Sequence, residues 1–235
     1  MIRLEVIEHY SPNLLEANRA FSFVNFSSIG SFLEQPSSTV AYFCDGMLMS
    51  TFMSRLTGRA VGRVSFDFTS IADPVFSRAE AQGKRLYFVG AQQAELDVFI
   101  SKIQARYPRL LIAGYHNGFF DARQASAIHA DIGRSQAQVL IVGLGAGRQE
   151  QFVQEALSAG FSGVAFTCGG FIRQEAMATE QYYPALINRL HLRAFYRMYR
   201  EPHTIRRYLF DYPSNFFQLL TMIVRRQMSI DIVAP

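Results

Sequence analysis

Asp45 is the acid best placed to act as a base. It directly follows Ala41-Tyr42-Phe43-Cys44, an apolar run with strand character, and precedes Gly46. A carboxylate at the mouth of a buried strand is partly withdrawn from water, which strengthens it as a proton acceptor. The same position suits the N-cap of a helix beginning at Met47, and taken alone the residue favours the cap. Arg63 and Asp67 stand four apart in Arg63-Val64-Ser65-Phe66-Asp67. They read as a grip on a diphosphate or as a surface ion pair, and alone the pair is the simpler reading. Gly143-Leu144-Gly145-Ala146-Gly147-Arg148-Gln149-Glu150 joins an apolar run to a helical pattern. Glycines let backbone approach a phosphate, and a helix N-terminus offers free N–H groups to it. An ordinary strand-to-helix turn has the same sequence, and a dinucleotide site would place the motif after the first strand with an acid further on.

The C-terminal fifth carries a second kind of chemistry. Arg189, Arg193, Arg197 and Arg200 recur at spacings that place them on one helical face; Arg206, Arg207, Arg225 and Arg226 follow. From Arg189 onward eight arginines meet three acids, a surplus of five positive charges, while residues 1–188 carry 15 basic and 16 acidic side chains. Phe195, Tyr196, Tyr199, Tyr208, Phe216 and Phe217 are interleaved. Arg grips phosphate oxygens as a planar fork, and a basic amphipathic helix with aromatics suits an anionic membrane surface. A solvated helix face is the plain alternative. Nucleic acid is disfavoured because the rest of the chain is nearly neutral.

The elements that must position these residues are legible. Val40 to Cys44, Leu86 to Gly90, Leu110 to Gly114, Val139 to Gly145 and Gly163 to Cys168 are short apolar runs without strict alternation, as in strands covered on both faces. Between them, Ala91 to Tyr107 and Gln149 to Ala159 show helical periodicity. The alternation predicts an α/β fold, a Rossmann-like, mostly parallel sheet flanked by helices. Ligands of such sheets bind beyond the carboxyl ends of the strands, where Asp45 and the glycine turn fall. The pattern turns helical and Arg-rich near Tyr182-Tyr183-Pro184, which predicts a core over 1–183 and a helical basic appendage over 184–235.

Composition narrows the class further. Hydrophobic residues make up 49% and charged residues 18% of the 235. That is ample for a core and low in charge for a soluble chain, a hint of contact with lipid or a partner. The N-terminus lacks the basic start and apolar run of a signal peptide, and no apolar stretch of about 20 residues predicts a spanning helix. Cys44 and Cys168 are expected as buried free thiols, with a disulfide as the alternative. The five histidines have no metal spacing, no paired-carboxylate metal motif occurs, and neither a nucleophile elbow nor a lysine-bearing phosphate loop is present. No metal site is expected.

Taken in order, Asn25-Phe26-Ser27-Ser28, Asp45-Gly46, Arg63-Val64-Ser65-Phe66-Asp67, Tyr87-Phe88-Val89-Gly90, Arg106-Tyr107-Pro108, Gly114 to Phe120, Val142 to Gly145 with Gln149-Glu150, Gly169-Gly170-Phe171, and Tyr196 through Pro202 to Leu209 resemble the WecG/TagA/CpsF family of bacterial glycosyltransferases. The resemblance covers about residues 22 to 215. It implies a metal-independent, cofactor-free inverting transferase with a UDP-sugar donor and a polyprenyl-diphosphate-linked acceptor, peripheral at the cytoplasmic face of the inner membrane, in exopolysaccharide, capsule or envelope-glycan synthesis. By motif match Asp45 is the base. Asn25, Arg63, Asp67, Gly143, Gly145, Gln149 and Glu150 shape the donor pocket, and Arg200, Arg206 and Arg207 face phosphate. The appendage is implied to dock on the membrane and complete the site, and a homo-oligomer is compatible with the chain.

The sequence also departs from the family pattern. Phe23 stands where Thr is usual, Phe66 where Gly is usual, and Gly147-Arg148 where Pro-Lys is usual. Phe171-Ile172-Arg173-Gln174-Glu175 replaces an aromatic–Asp–aromatic run, and the stretch from Asn25 to Asp45 is short. These changes point to a donor pocket unlike that of N-acetylmannosamine transferases. Cys168-Gly169-Gly170-Phe171 and Tyr182-Tyr183-Pro184 resemble instead members that transfer glucose or a related sugar in exopolysaccharide assembly. The N-acetylmannosamine reading, a NAD-binding oxidoreductase and a non-catalytic membrane scaffold remain the rivals.

Overall fold

The computed structural model describes residues 1–178, 187, 193–200 and 202–235. In chain order the principal elements are β1 (Ile2–Ile7), β2 (Ala20–Val24), α1 (Ile29–Glu34), β3 (Val40–Cys44), α2 (Met47–Thr57), α3 (Ala72–Ala81), β4 (Arg85–Gly90), α4 (Gln93–Arg106) and β5 (Leu111–His116). Then come α5 (Ala122–Ser135), β6 (Val139–Gly143), α6 (Arg148–Ser158), β7 (Val164–Thr167), α7 (Phe171–Met177), α8 (Arg193–Arg200), α9 (Tyr212–Val224) and β8 (Met228–Val233). The eight strands form one sheet in the order β5-β4-β6-β7-β2-β3-β1-β8, and every pairing is parallel. This is the expected Rossmann-like α/β fold.

Helices cover both faces, and this explains the missing alternation in the sequence. In β3, Val40, Tyr42 and Cys44 enter one core with Met49 and Met53 of α2, Phe152 and Val153 of α6 and Leu219 of α9. Ala41 and Phe43 enter the other, with Val75 and Phe76 of α3, Phe99 of α4 and Phe171 of α7. All five β3 residues are buried, so each needs an apolar side chain whichever way it points.

The five expected strands and both expected helices are present. Two strands near the N-terminus were not anticipated, because β1 and β2 carry Arg3, Glu5 and Ser22 among their apolar residues. The predicted boundary at Tyr183 lies outside the described residues, as does Arg189. Beyond it the chain adds more than helix. β8 pairs with β1 from Ile2↔Met228 to Ile7↔Val233, and α9 buries Leu219 completely. The last two dozen residues thus complete the sheet edge and one core.

Candidate active site

Near the middle of the sheet β7 pairs with β2 through Ala20↔Ala165 and Phe21↔Phe166. Above the carboxyl ends of β6, β7, β2 and β3 lies a cleft of about 1560 Å3. Asn25 enters it after β2, Asp45 after β3, Gly145 after β6, and Thr167 with Gly169 from β7. The carboxyl ends of the strands are where ligands of an open parallel sheet bind.

The backbone places Asp45. Its N–H donates to the Val24 carbonyl at 2.9 Å, and the Cys44 carbonyl accepts from Val64 N at 2.8 Å. The chain then turns at Gly46, whose φ of +90° lies in the region that glycine tolerates. Gly46, not Asp45, occupies the N-cap of α2, and no side chain caps that helix. The carboxylate is thereby left for the cleft. Its Oδ2 accepts from Asn25 Nδ2 at 3.4 Å, and its Oδ1 lies 3.7 Å from Arg63 Nη2.

Arg63 is shared. The same Nη2 donates to Ser65 Oγ at 2.7 Å and lies 3.7 Å from Asp67 Oδ2. Ser65 Oγ donates in turn to Asp67 Oδ2 at 2.7 Å, and Asp67 Oδ1 accepts from Thr69 N at 2.8 Å. The side chains of Arg63 and Asp67 are only 20% and 15% exposed, so a solvated surface pair does not describe them. Asp67 organises its own turn and holds Arg63 toward Asp45. Asn25 does the same for its loop, its Oδ1 accepting from Ser27 N at 2.8 Å and Ser28 N at 3.1 Å.

The glycine turn is built differently from a phosphate cradle. Gly143 ends β6 below the cleft, and a Cβ there would stand 2.7 Å from the Gly169 carbonyl oxygen; its role is close packing of strand ends. Gly145 and Ala146 do line the cleft. At the start of α6, however, the Gly147 N–H donates to Glu150 Oε2 at 2.7 Å. One of the helix's orphan donors is therefore taken by its own side chain. Gln149 is buried yet lines the cleft, whereas Glu150 does not line it.

The C-terminal segment closes the far wall. Tyr199, Arg200, Arg207, Tyr208 and Tyr212 line the cleft, and Arg206 does not. Arg207 Nε donates to Ser27 Oγ at 2.8 Å, and Asn215 Nδ2 donates to the Phe26 carbonyl at 2.8 Å. Phe26, Phe52, Tyr212 and Phe216 pack edge to face around that contact. The tail is thus fastened to the loop that carries Asn25. Ser22 and Thr167 escaped the sequence reading, and Ser27 and Ser65 were quoted within motifs without a role. The signal for Ser22 and Thr167 was a hydroxyl inside a buried strand, which must find a partner.

Among the described residues no group of His, Cys, Asp or Glu is arranged to hold a metal ion, and no helix is long and apolar enough to cross a membrane. Cys44 and Cys168 are buried free thiols. Burial pushes both up to about 12, helped at Cys44 by the charge of Asp45.

Two kinds of comparison place this arrangement. The family model for glycosyl transferases of the WecG/TagA/CpsF family matches residues 30–229. The chain is 28% identical over 171 residues to a UDP-Gal:alpha-D-GlcNAc-diphosphoundecaprenol beta-1,4-galactosyltransferase of Shigella boydii, covering 73% of this chain and 72% of that protein. It is also 28% identical over 166 residues to an N-acetylglucosaminyldiphosphoundecaprenol N-acetyl-beta-D-mannosaminyltransferase of Bacillus subtilis, covering 67% of this chain and 60% of that one. With the family match spanning most of the sequence, the protein belongs to the WecG/TagA/CpsF family of glycosyl transferases.

Proposed function

We propose that this glycosyltransferase moves a hexose of the glucose type from a UDP-sugar to a polyprenyl-diphosphate-linked glycan, with inversion, in the synthesis of an exopolysaccharide, capsule or envelope glycan. The observation that carries the reading is the convergence of Asp45, Arg63 and Arg207 on one cleft from three separate stretches of sequence. In the step we assign, the acceptor hydroxyl gives its proton to Asp45 while its oxygen bonds to the anomeric carbon. The bond from that carbon to the UDP oxygen breaks on the opposite face. The departing diphosphate then needs cations, which Arg63, Arg200 and Arg207 supply as bidentate donors. Asn25, Asp67, Gly145 and Gln149 shape the donor side of the cleft.

The Shigella relative supports a hexose donor and an undecaprenyl-diphosphate acceptor, since its name states both. A lipid-linked acceptor brings the enzyme to a membrane. Exposed Leu209, Phe210, Phe217 and Val224 beside the exposed Arg206, Arg225 and Arg226 support peripheral docking there; we assign the cytoplasmic face. The Bacillus relative favours a second reading, transfer of N-acetylmannosamine by the same machinery.

Mass spectrometry of reactions between the purified protein, single UDP-sugars and a polyprenyl-diphosphate-linked N-acetylglucosamine acceptor tests the reading. The expected product is the acceptor plus one hexose. An adduct from UDP-N-acetylmannosamine alone would select the second reading, and no adduct from any UDP-sugar would overturn both.

A further inference from the structure

Beneath the cleft runs a chain of hydrogen bonds that the transfer step does not use directly. Ser22 and Thr167 sit inside the adjacent strands β2 and β7, and both are fully buried. Their hydroxyl oxygens are 2.8 Å apart. Ser22 Oγ donates to Glu150 Oε1 at 2.5 Å. Because that hydrogen is committed, Thr167 must be the donor to Ser22. Glu150 Oε1 also accepts from Gln149 Nε2 at 3.0 Å, and Gln149 Oε1 accepts from Gly169 N at 3.1 Å. Glu150 Oε2 meanwhile holds the Gly147 N–H.

This arrangement allows one orientation of the Gln149 amide. Flipped, its oxygen would face a carboxylate and its NH2 group would face the Gly169 N–H, two like-against-like contacts. A carboxamide nitrogen has two hydrogens, and Glu150 takes one. Gln149 is buried and lines the cleft. We propose that Thr167, Ser22 and Glu150 form a buried positioning relay. It fixes the Gln149 amide so that the second N–H, a donor, faces a ligand oxygen in the cleft. Glu150 thus acts through Gln149 and the α6 turn. This deepens the nucleotide-sugar reading and rests on it for the identity of that oxygen, a diphosphate oxygen of the donor.

The test joins a ligand-free spectrum to a binding cycle. In nitrogen-15 spectra of the protein without ligand, wild type should show one Gln149 side-chain hydrogen protected from solvent exchange. Ser22→Ala and Glu150→Gln should lose that protection while circular dichroism shows both remain folded. In UDP titrations, Gln149→Glu and Glu150→Gln should each weaken affinity about ten- to hundredfold. Glu150→Gln should cost nothing further in a Gln149→Ala background, because the relay works only through Gln149. Equal losses in both backgrounds, or protection that survives Glu150→Gln, would overturn the relay. Failure of wild type to bind UDP, with protection lost in both variants, would support the relay and count against the nucleotide reading alone.

Discussion

At the scale of the residue, the site is a set of side chains kept from doing their commonest jobs. Asp45 is free for chemistry because Gly46 takes the cap. Arg63 is held off the surface by Asp67 and Ser65. Glu150, by contrast, spends its carboxylate on Ser22, Gln149 and Gly147. A further carboxyl group lies behind the cleft wall. Burial first, and the charge of Asp67 second, push Glu175 up to about 7, against the pull of Lys102 and Arg106. Its folded value stands above its unfolded one, so the folded state holds a proton that the unfolded state releases. Stability therefore falls as pH rises from the ordinary carboxylate range through about 7. Glu175→Gln, which stays neutral, should gain melting temperature over wild type at pH 8 and little or none at pH 5. Thermal denaturation at both pH values checks this, and an equal shift at both would contradict the assigned cause.

At the scale of the element, the tail is where sequence and structure part most instructively. The arginines and aromatics after Pro184 read as a helical appendage. The fold instead threads α9 under the Asn25 loop and returns β8 to the sheet beside β1. Periodicity finds a strand when both faces are buried, as with β3, β6 and β7. It misses β1 and leaves only a trace for β8 in the final residues, because their polar residues meet in the Arg3–Asp231 pair. The site was legible in the same uneven way. Asp45, the glycine turn and Gln149 could be found because they follow readable strands. Thr167 was hidden inside one of them and Ser22 inside the unanticipated β2, and the partnership of Arg207 with Ser27 spans 180 residues. Gly143 carried a motif's look but serves packing. If α9 belongs to the core, Leu219→Ala, at a position with no exposure, should cost about 2–5 kcal/mol. Urea denaturation measures it, and a loss under about 0.5 kcal/mol, the size of an ordinary surface change, would return the segment to the status of an appendage.

At the scale of the whole molecule, the design is one sheet with a cleft over the carboxyl ends of its strands and a tail that walls one side of that cleft. The strands supply an acid and a fixed floor from one side. The tail supplies arginines and aromatic wall from the other, and the same tail exposes Leu209, Phe210 and Phe217 to its surroundings. The transfer we propose, from a soluble nucleotide sugar to a lipid-borne acceptor, would use both features, since site closure and surface docking would then share one segment. The proton-accepting role of Asp45 is the claim on which this account turns. Its most direct test is single-turnover sugar transfer by wild type and Asp45→Asn, with UDP affinity measured on the same preparations. The account predicts unchanged UDP affinity and a transfer rate lower by roughly 10²- to 10⁴-fold. Equal rates of transfer would contradict it.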